Sequence, residues 1–444
     1  MADSRPQITE NTENVESLQS WQLVVRTEGE WVLVPSASPP SPPKTLPEDI
    51  IVYLFTFIPL EDHEVSDNLT LMLVCKAWNI LVRRTRPLWT SINIPLDCYS
   101  DFSQIRERVK ASIKYSQNAM LYITIQIDNL VDLDEEEEDE EEETTDPSTT
   151  GERLFRDYID IMHVLRGDDG CNAWQWRAFH LWLASGIDDR AALYILRCLT
   201  VEMPNLQELS VHLGFSPNAE IGWDTNQLLD IMPNLTALQN LSTDHRIFLS
   251  LHSFRPSFIV ELTLIDTPAV REFFSIGSHF TALQRLAVDL HDRNVISGHD
   301  VVLPMLKHLK VSGWLTMEFI SHLEAEKLSH LDIADVDLTA SHLVGSQSYP
   351  PVVKFSWRSR DPTMVNARDC FYIPVLAFIF AQCSALAEIN IWKKHQEVFE
   401  KAIDKARREG RVLKQLKTLK IYSSGWEFND ETRVATVDMS NDGD

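Results

Sequence analysis

Along most of the chain the apolar positions follow one short figure, L-x-x-L-x-L, that opens after a polar turn. It reads Trp176-x-x-Phe179-x-Leu181, Leu206-x-x-Leu209-x-Val211, Ile259-x-x-Leu262-x-Leu264 and Leu283-x-x-Leu286-x-Val288. Leu306-x-x-Leu309-x-Val311, Leu328-x-x-Leu331-x-Ile333, Leu386-x-x-Ile389-x-Ile391 and Leu416-x-x-Leu419-x-Ile421 continue it. Weaker copies fall at Leu235/Leu238 and at Val353/Phe355/Trp357, and Leu121-x-Ile123-x-Ile125-x-Ile127 reads as the first strand. Alternation of period two predicts short strands with one buried face. Segments 153–165, 188–199 and 398–408 carry helical periodicity between them.

Ahead of these copies the pattern changes. Thr45 and Glu48 have capping-box spacing, Pro47 falls in the first turn, and Ile50, Leu54 and Phe57 or Ile58 then recur at helical intervals. A polar interval, 61–68, precedes a second apolar run. In it Leu69, Leu73, Ala77, Ile80 and Leu81 lie on one side, and Leu71, Val74, Trp78 and again Leu81 on another. A helix apolar over so wide an arc is expected to sit between its own domain and a partner.

Leu46-Pro47-Glu48, the Ile50/Leu54/Phe55/Ile58 face, Val74-Cys75-Lys76-x-Trp78 and Pro87-Leu88-Trp89 leading to Ile92 resemble an F-box. That module docks F-box proteins on the adaptor subunit of SCF-type cullin–RING ubiquitin ligases. The interval from Pro59 to Cys75 is longer here than the common pattern, which lengthens a connection at little thermodynamic cost. The resemblance implies adaptor-binding roles for Leu46, Pro47, Ile50, Leu54, Ile58, Val74, Trp78, Leu88 and Trp89.

The central leucines 262, 286, 309 and 331 are 24, 23 and 22 residues apart. That period is the one of leucine-rich repeats, each giving a parallel strand and a return helix. The expected fold class is therefore α/β: a three-helix F-box at 45–95, then a leucine-rich-repeat-like solenoid at 100–428. Strands would line its concave face and helices its convex face. This plan resembles that of large fungal F-box families. Segment 1–44 is expected to be mostly disordered, with a hairpin at 21–34 and a Pro-rich linker after it, and 429–444 is expected to be a disordered tail.

Charge narrows the partners. With a net charge of −26 and a pI near 4.9, nucleic acid and anionic membrane are not expected partners. Ten consecutive carboxylates, 134–143, predict a self-repelling disordered insertion at 132–150. It reads as a solvated edge loop, a calcium- or histone-attracting loop, or a mask over a basic surface. Six scattered cysteines without C-x-x-C spacing suggest neither disulfides nor zinc and favour a reducing compartment, cytoplasmic or nuclear. The longest apolar run, 375–381, falls far short of the roughly 20 residues of a membrane span.

No phosphate-binding glycine loop, G-x-S-x-G, H-E-x-x-H, EF-hand or kinase signature occurs. The expectation is a chain without enzymatic activity or cofactor, the substrate receptor of an SCF-type ligase. Its partners would be the ligase adaptor, cullin through that adaptor, and a protein target. A leucine-rich-repeat scaffold outside the ligase, or an acidic histone-binding chaperone-like protein, is the other reading, and 46–92 is the segment such proteins would not need.

Strand alternation turns the neighbours of the leucines outward. Ser210, His212, Thr263, Asp289, His308, Lys310, Asp332, Lys354, Ser356, Arg358, Asn390, Trp392, Lys420 and Tyr422 should then share one face. Lys310, Arg358, Trp392, Lys420 and Tyr422 are the target-binding candidates, because Trp, Tyr and Arg anchor protein interfaces. An acidic peptide or phosphopeptide is the expected ligand.

Overall fold

The computed structural model describes residues 21–25, 31–35, 48–55, 67–96, 101–127, 147–183, 196–197, 199–213, 235–244, 255–265, 267–290, 300–313, 316–334, 352–358, 376, 385–408, 415–422 and 434–438. Two compact units divide the chain, Met1–Pro59 and Leu60–Asp444. The acidic run, the Pro-rich linker and most of the helical segment expected at 188–199 lie outside the described residues.

In the first unit β1 (Trp21–Val25) and β2 (Trp31–Pro35) pair antiparallel, Trp21 opposite Pro35. Helix α1 (Glu48–Phe55) starts with Glu48 and Asp49, whose charge suits the positive end of the helix dipole. It buries Phe55 and leaves Ile50, Tyr53 and Leu54 in solvent.

The second unit opens with α2 (Asp67–Val74) and α3 (Lys76–Arg84). The second apolar run is thus two helices, broken at Cys75. Its backbone is extended (φ −162°, ψ 166°), and its Sγ accepts from the Trp78 N–H at 3.4 Å. Cys75 acts as an N-cap, a role a thiol fills more weakly than a hydroxyl. Across the break Asn79 Nδ2 donates to the Met72 carbonyl at 3.1 Å. A 3₁₀ turn, Arg86–Trp89, follows with Pro87 in its first turn.

A sheet of thirteen strands runs through the described remainder. In chain order the elements are β3 (Ser91–Leu96), α4 (Phe102–Ser116), β4 (Leu121–Ile127), α5 (Pro147–Arg166), β5 (Trp176–Leu183), β6 (Glu208–His212), β7 (Asn240–Thr243) and β8 (Glu261–Ile265). They continue with α6 (Thr267–Ile276), β9 (Arg285–Leu290), β10 (Val301–Val302), β11 (His308–Gly313), α7 (Thr316–Ser321), β12 (Leu323–Glu324) and β13 (His330–Ala334). Last come β14 (Lys354–Arg358), β15 (Glu388–Trp392), α8 (Gln396–Arg408), β16 (Thr418–Tyr422) and β17 (Val434–Asp438). Sheet neighbours follow chain order from β3 to β17, with β10 and β12 set apart as their own parallel pair. Neighbours are parallel except β16 and β17.

Register explains the repeat. Phe179, Leu209, Leu241, Leu262, Leu286, Leu309, Leu331, Phe355, Ile389 and Leu419 form one cross-strand ladder, and all are buried. Two residues on, Leu181, Val211, Thr243, Leu264, Val288, Val311, Ile333, Trp357, Ile391 and Ile421 form a second buried ladder. The leucine three residues before the first ladder closes a turn, as Leu206 N donates to Met203 O, Leu283 to Phe280 and Leu306 to Leu303 at 3.1–3.2 Å. Helices cover this side: α8 buries Val398, Phe399, Ala402, Ile403 and Ala406 on one stripe. Phe273, Phe274 and Phe280 cluster with Phe319, ring centroids 5.3–6.5 Å apart.

Four expectations are corrected. The sheet begins at β3, not β4, because Ile92, Ile94 and Leu96 alternate inward. The copy at Leu235/Leu238 sits three residues later, since Leu238 takes the turn position and Leu241 and Thr243 the ladders. In β14 the turn position belongs to buried Val352, and Val353 is exposed. The tail expected to be disordered contains β17, whose Val434–Asp438 alternation pairs with β16. Among the described residues no helix is long and apolar enough to cross a membrane.

Gly313 ends β11 at φ +101°, and a Cβ there would come within 1.9 Å of the Leu290 carbonyl oxygen. Gly313→Ala is expected to destabilise the fold by about 2–4 kcal/mol, read as a lowered urea midpoint with the slope unchanged.

Candidate binding surfaces

Two surfaces of the described residues stand out, one apolar and helical, the other polar and carried by the sheet. Among the described residues thirteen large apolar side chains are exposed, and Ile50, Tyr53, Leu54, Leu73, Val74 and Ile80 are six of them. They fall within one short stretch of sequence, whereas the other seven are spread from Met120 to Val353. Leu73, at the end of α2, is 85% exposed. Ile50, Tyr53 and Leu54 belong to the first unit and Leu73, Val74 and Ile80 to the second, and in each unit the exposed apolar side chains are adjacent along the helices rather than scattered singly.

The expected adaptor contacts divide accordingly. Ile50, Leu54 and Val74 are exposed and Trp78 is half-buried. Leu46, Pro47 and Ile58 lie outside the described residues. Leu88 and Trp89 turn the other way, into the chain's own interior. Trp89 is 1% exposed, its Nε1 donates to the Val82 carbonyl at 2.8 Å, and its ring lies 5.0 Å from that of Tyr115. Asn68 Nδ2 donates to the Leu88 carbonyl. An amphipathic indole is held best where its N–H finds a carbonyl, and here that partner is inside.

On the sheet, the residue before each first-ladder position and the residue between the two ladders share the polar face. The first row runs Glu208, Asn240, Glu261, Arg285, His308, His330, Lys354, Glu388 and Thr418. Its opposite charges meet across strands: Arg285 and Glu261 at 2.5 Å, Lys354 and Glu388 at 3.2 Å. Lys420, from the second row, reaches Glu388 at 3.4 Å. Burial alone would raise the Glu388 carboxyl, but Lys354, Asn390 and Lys420 together hold it below the ordinary carboxylate value. Such half-exposed pairs contribute modestly to stability, about 0–1 kcal/mol each.

Between these pairs His308 and His330 stack, ring centroids 4.2 Å apart and planes 20° from parallel. Ser329 Oγ lies 2.8 Å from His330 Nδ1. Partial burial lowers both imidazole pKa values. Arg285, Lys307 and Lys354 lower that of His308 further, and His308 and Lys354 that of His330. A cleft of about 460 Å³ opens over them, lined also by Thr263, Ala287, Lys310, Asp332, Ser356 and Asn390.

The target-binding candidates are not equivalent. Lys310 is exposed in the cleft, Lys420 is half-buried in its ion pair, and Trp392 is half-buried with its ring stacked 6.5 Å from that of His395. Tyr422, expected to face out, is buried at 6% exposure and stands opposite Val434 of β17, a strand the sequence reading placed in the tail. Ser356, Asn390 and His212 are also buried, although polar. Arg358 closes β14, and its side chain lies outside the described residues. Glu261, Arg285, His330 and Glu388 were missed. Their signal was available, since the residue before a ladder position has the same parity as the residue after it.

Farther along the face Trp182, 52% exposed, packs its ring 5.1 Å from that of His212. Ser210 Oγ and Ser242 Oγ lie 2.9 and 3.2 Å from His212 Nε2. Burial, with His180 nearby, pushes the His212 pKa down to about 4. Among the described residues no group of three or more His, Cys, Asp or Glu side chains is placed to hold a metal.

Residues 44–95 match the family model described as F-box-like. The chain therefore carries an F-box-like domain, spanning α1, α2, α3 and the 3₁₀ turn that buries Trp89. F-box domains generally bind SCF-type adaptors. A search of curated proteins found no match to the chain.

His212 gives the face a pH signature. Its folded-state pKa lies below the ordinary 6.5, so as pH falls below 6.5 the unfolded chain takes up a proton that the folded chain refuses until about 4. Stability is then lost as pH falls through that window, by about 2 kcal/mol after allowing for partial exposure. His212→Gln should flatten the urea midpoint between about pH 6.5 and about pH 4 relative to wild type.

Proposed function

We propose that the chain is the substrate-recognition subunit of an SCF-type cullin–RING ubiquitin ligase, without catalysis of its own. The observation that carries this reading is the coincidence of the F-box-like match with six exposed apolar side chains on α1, α2 and α3. Ile50, Leu54, Leu73, Val74 and Ile80 are assigned to the adaptor, and the F-box resemblance assigns Leu46, Pro47, Ile58 and Trp78 to it as well. Leu88 and Trp89 shape the module from within.

The sheet is read as an irregular leucine-rich-repeat solenoid, its polar face concave, on a plan resembling the fungal F-box families. In-register strands at a period of 22–24 residues in the middle of the chain support this. The target sits on that face, near Lys310, Trp392, Lys420 and Arg358. The chain raises the effective concentration of target lysines beside a ubiquitin-charged enzyme recruited through the adaptor and cullin. It works in the cytoplasm or nucleus.

Co-purification with the ligase adaptor tests the reading. Wild type should retain the adaptor. Leu73→Glu with Ile80→Glu should weaken it roughly 100-fold, because two apolar anchors worth about 1.5 kcal/mol each are lost. Leu46→Ala with Pro47→Ala should weaken it in the same direction. No adaptor on wild type would point instead to a repeat scaffold outside the ligase.

A further inference from the structure

The middle of the polar face has one cation left over. Arg285 is engaged by Glu261 and Lys354 by Glu388, on either side of the histidine pair in the row. Lys310, between them, is exposed into the cleft and has no ion-pair or hydrogen-bond partner among the described residues. Asp332, its register neighbour on β13, has a partner of its own. Beside Lys310 stand the stacked His308 and His330, on the same two strands. Ala287, one strand back, lacks the side chain that would fill the floor. The cleft of about 460 Å³ falls in the range of specific ligand sites.

We propose that this cleft seats a side-chain carboxylate of an acidic peptide segment, between Lys310 and the His308–His330 pair, and that seating it draws one proton onto the pair. One unpaired cation matches one negative charge, which selects a carboxylate over a doubly charged phosphoryl group. One proton is the limit, because two imidazolium rings with centroids 4.2 Å apart would repel each other as well as Arg285, Lys307 and Lys354. Glu261 and Glu388, which favour the charged form, are already turned to Arg285 and Lys354. The free pair is neutral near neutral pH, so an arriving carboxylate raises its proton affinity and binding tightens as pH falls.

This proposal rests on reading the polar face as the target surface, and direct titration separates the two. The full chain is titrated, by fluorescence anisotropy, with a fluorescein-labelled peptide of alternating Glu and Ser. Its alternating Gln and Ser counterpart and a phosphoserine version serve as the other arms. The Glu peptide should bind roughly fivefold tighter at about pH 6 than at about pH 7.5, a window in which its own carboxylates stay ionised. Lys310→Ala should weaken it about tenfold at both pH values, the loss of one charge-assisted contact. His308→Gln with His330→Gln should keep the higher-pH affinity and lose the pH response, with an unchanged urea midpoint showing that the fold is intact.

Equal binding of the Gln peptide, or a pH response that survives in the double histidine variant, would overturn the proposal. A phosphoserine peptide bound more tightly through Lys310 would replace the carboxylate by a phosphoryl group. If no peptide binds while adaptor co-purification and target capture persist, the cleft assignment fails and the receptor reading stands. If the Glu peptide binds but no adaptor co-purifies, the reverse holds.

Discussion

The pairing of two buried ladders, one residue of each per strand, is the constraint on which the rest of the sheet depends. A parallel strand cannot return to its neighbour without a crossover of a dozen residues or more, so each pairing must be specified separately along the chain. Leu262, Leu286, Leu309 and Leu331 do this by lying opposite one another, with Leu264, Val288, Val311 and Ile333 two residues on. A slip of one residue would carry both ladders into solvent and the polar rows into the core. The turn leucines fix the phase at which each strand begins, and the entry bonds continue it, as Lys307 N donates to Gln284 O and Ser329 N to Lys307 O, both at 2.9 Å. Gly313, packed against the Leu290 carbonyl, shows how closely successive units approach.

That register also writes the other face. Because the ladders are aligned, so are the residues between them, and opposite charges four to five ångströms apart along a row become partners by construction. Glu261 with Arg285 and Lys354 with Glu388 are 24 and 34 residues apart in sequence, yet adjacent in space. The same logic stacks His308 on His330 and sets Lys310 beside them. The polar face is a consequence of the apolar one, and its exposed positions, Lys310 among them, lie off both ladders.

Much of this was legible in the sequence, because period-two alternation and a recurring interval are local and repeated. What escaped it depended on contacts between distant residues. Cys75 breaks a helix that hydrophobic spacing alone runs straight through, and the break is visible only in the extended backbone of the cap. Trp89 reads as a docking aromatic until its indole N–H is seen on the Val82 carbonyl. Tyr422 reads as exposed so long as β16 is taken for the last strand, and the antiparallel β17 removes that premise. Thr243 stands in a ladder where an aliphatic residue is expected, which is why the copy around Leu238 was placed three residues early.

The two surfaces differ in a way that bears on their use. On the sheet the two ladders are buried on neighbouring strands and covering helices, and the polar face pairs most of its charges across strands, with Trp182 and Tyr122 as exposed aromatic exceptions. On the helices that balance is missing. Leu73, Val74 and Ile80 stay in solvent although α2 and α3 belong to the same compact unit as a core that buries Trp89 almost completely. Each of those side chains forgoes about 1.5–3 kcal/mol of burial that the fold makes no attempt to recover. An apolar face left open beside a well-filled core is stable in water only at a cost, one that burial against another surface would offset. The helical face is therefore the part of this unit whose exposure its own packing leaves uncompensated, whereas the polar face has most of its charges matched across neighbouring strands.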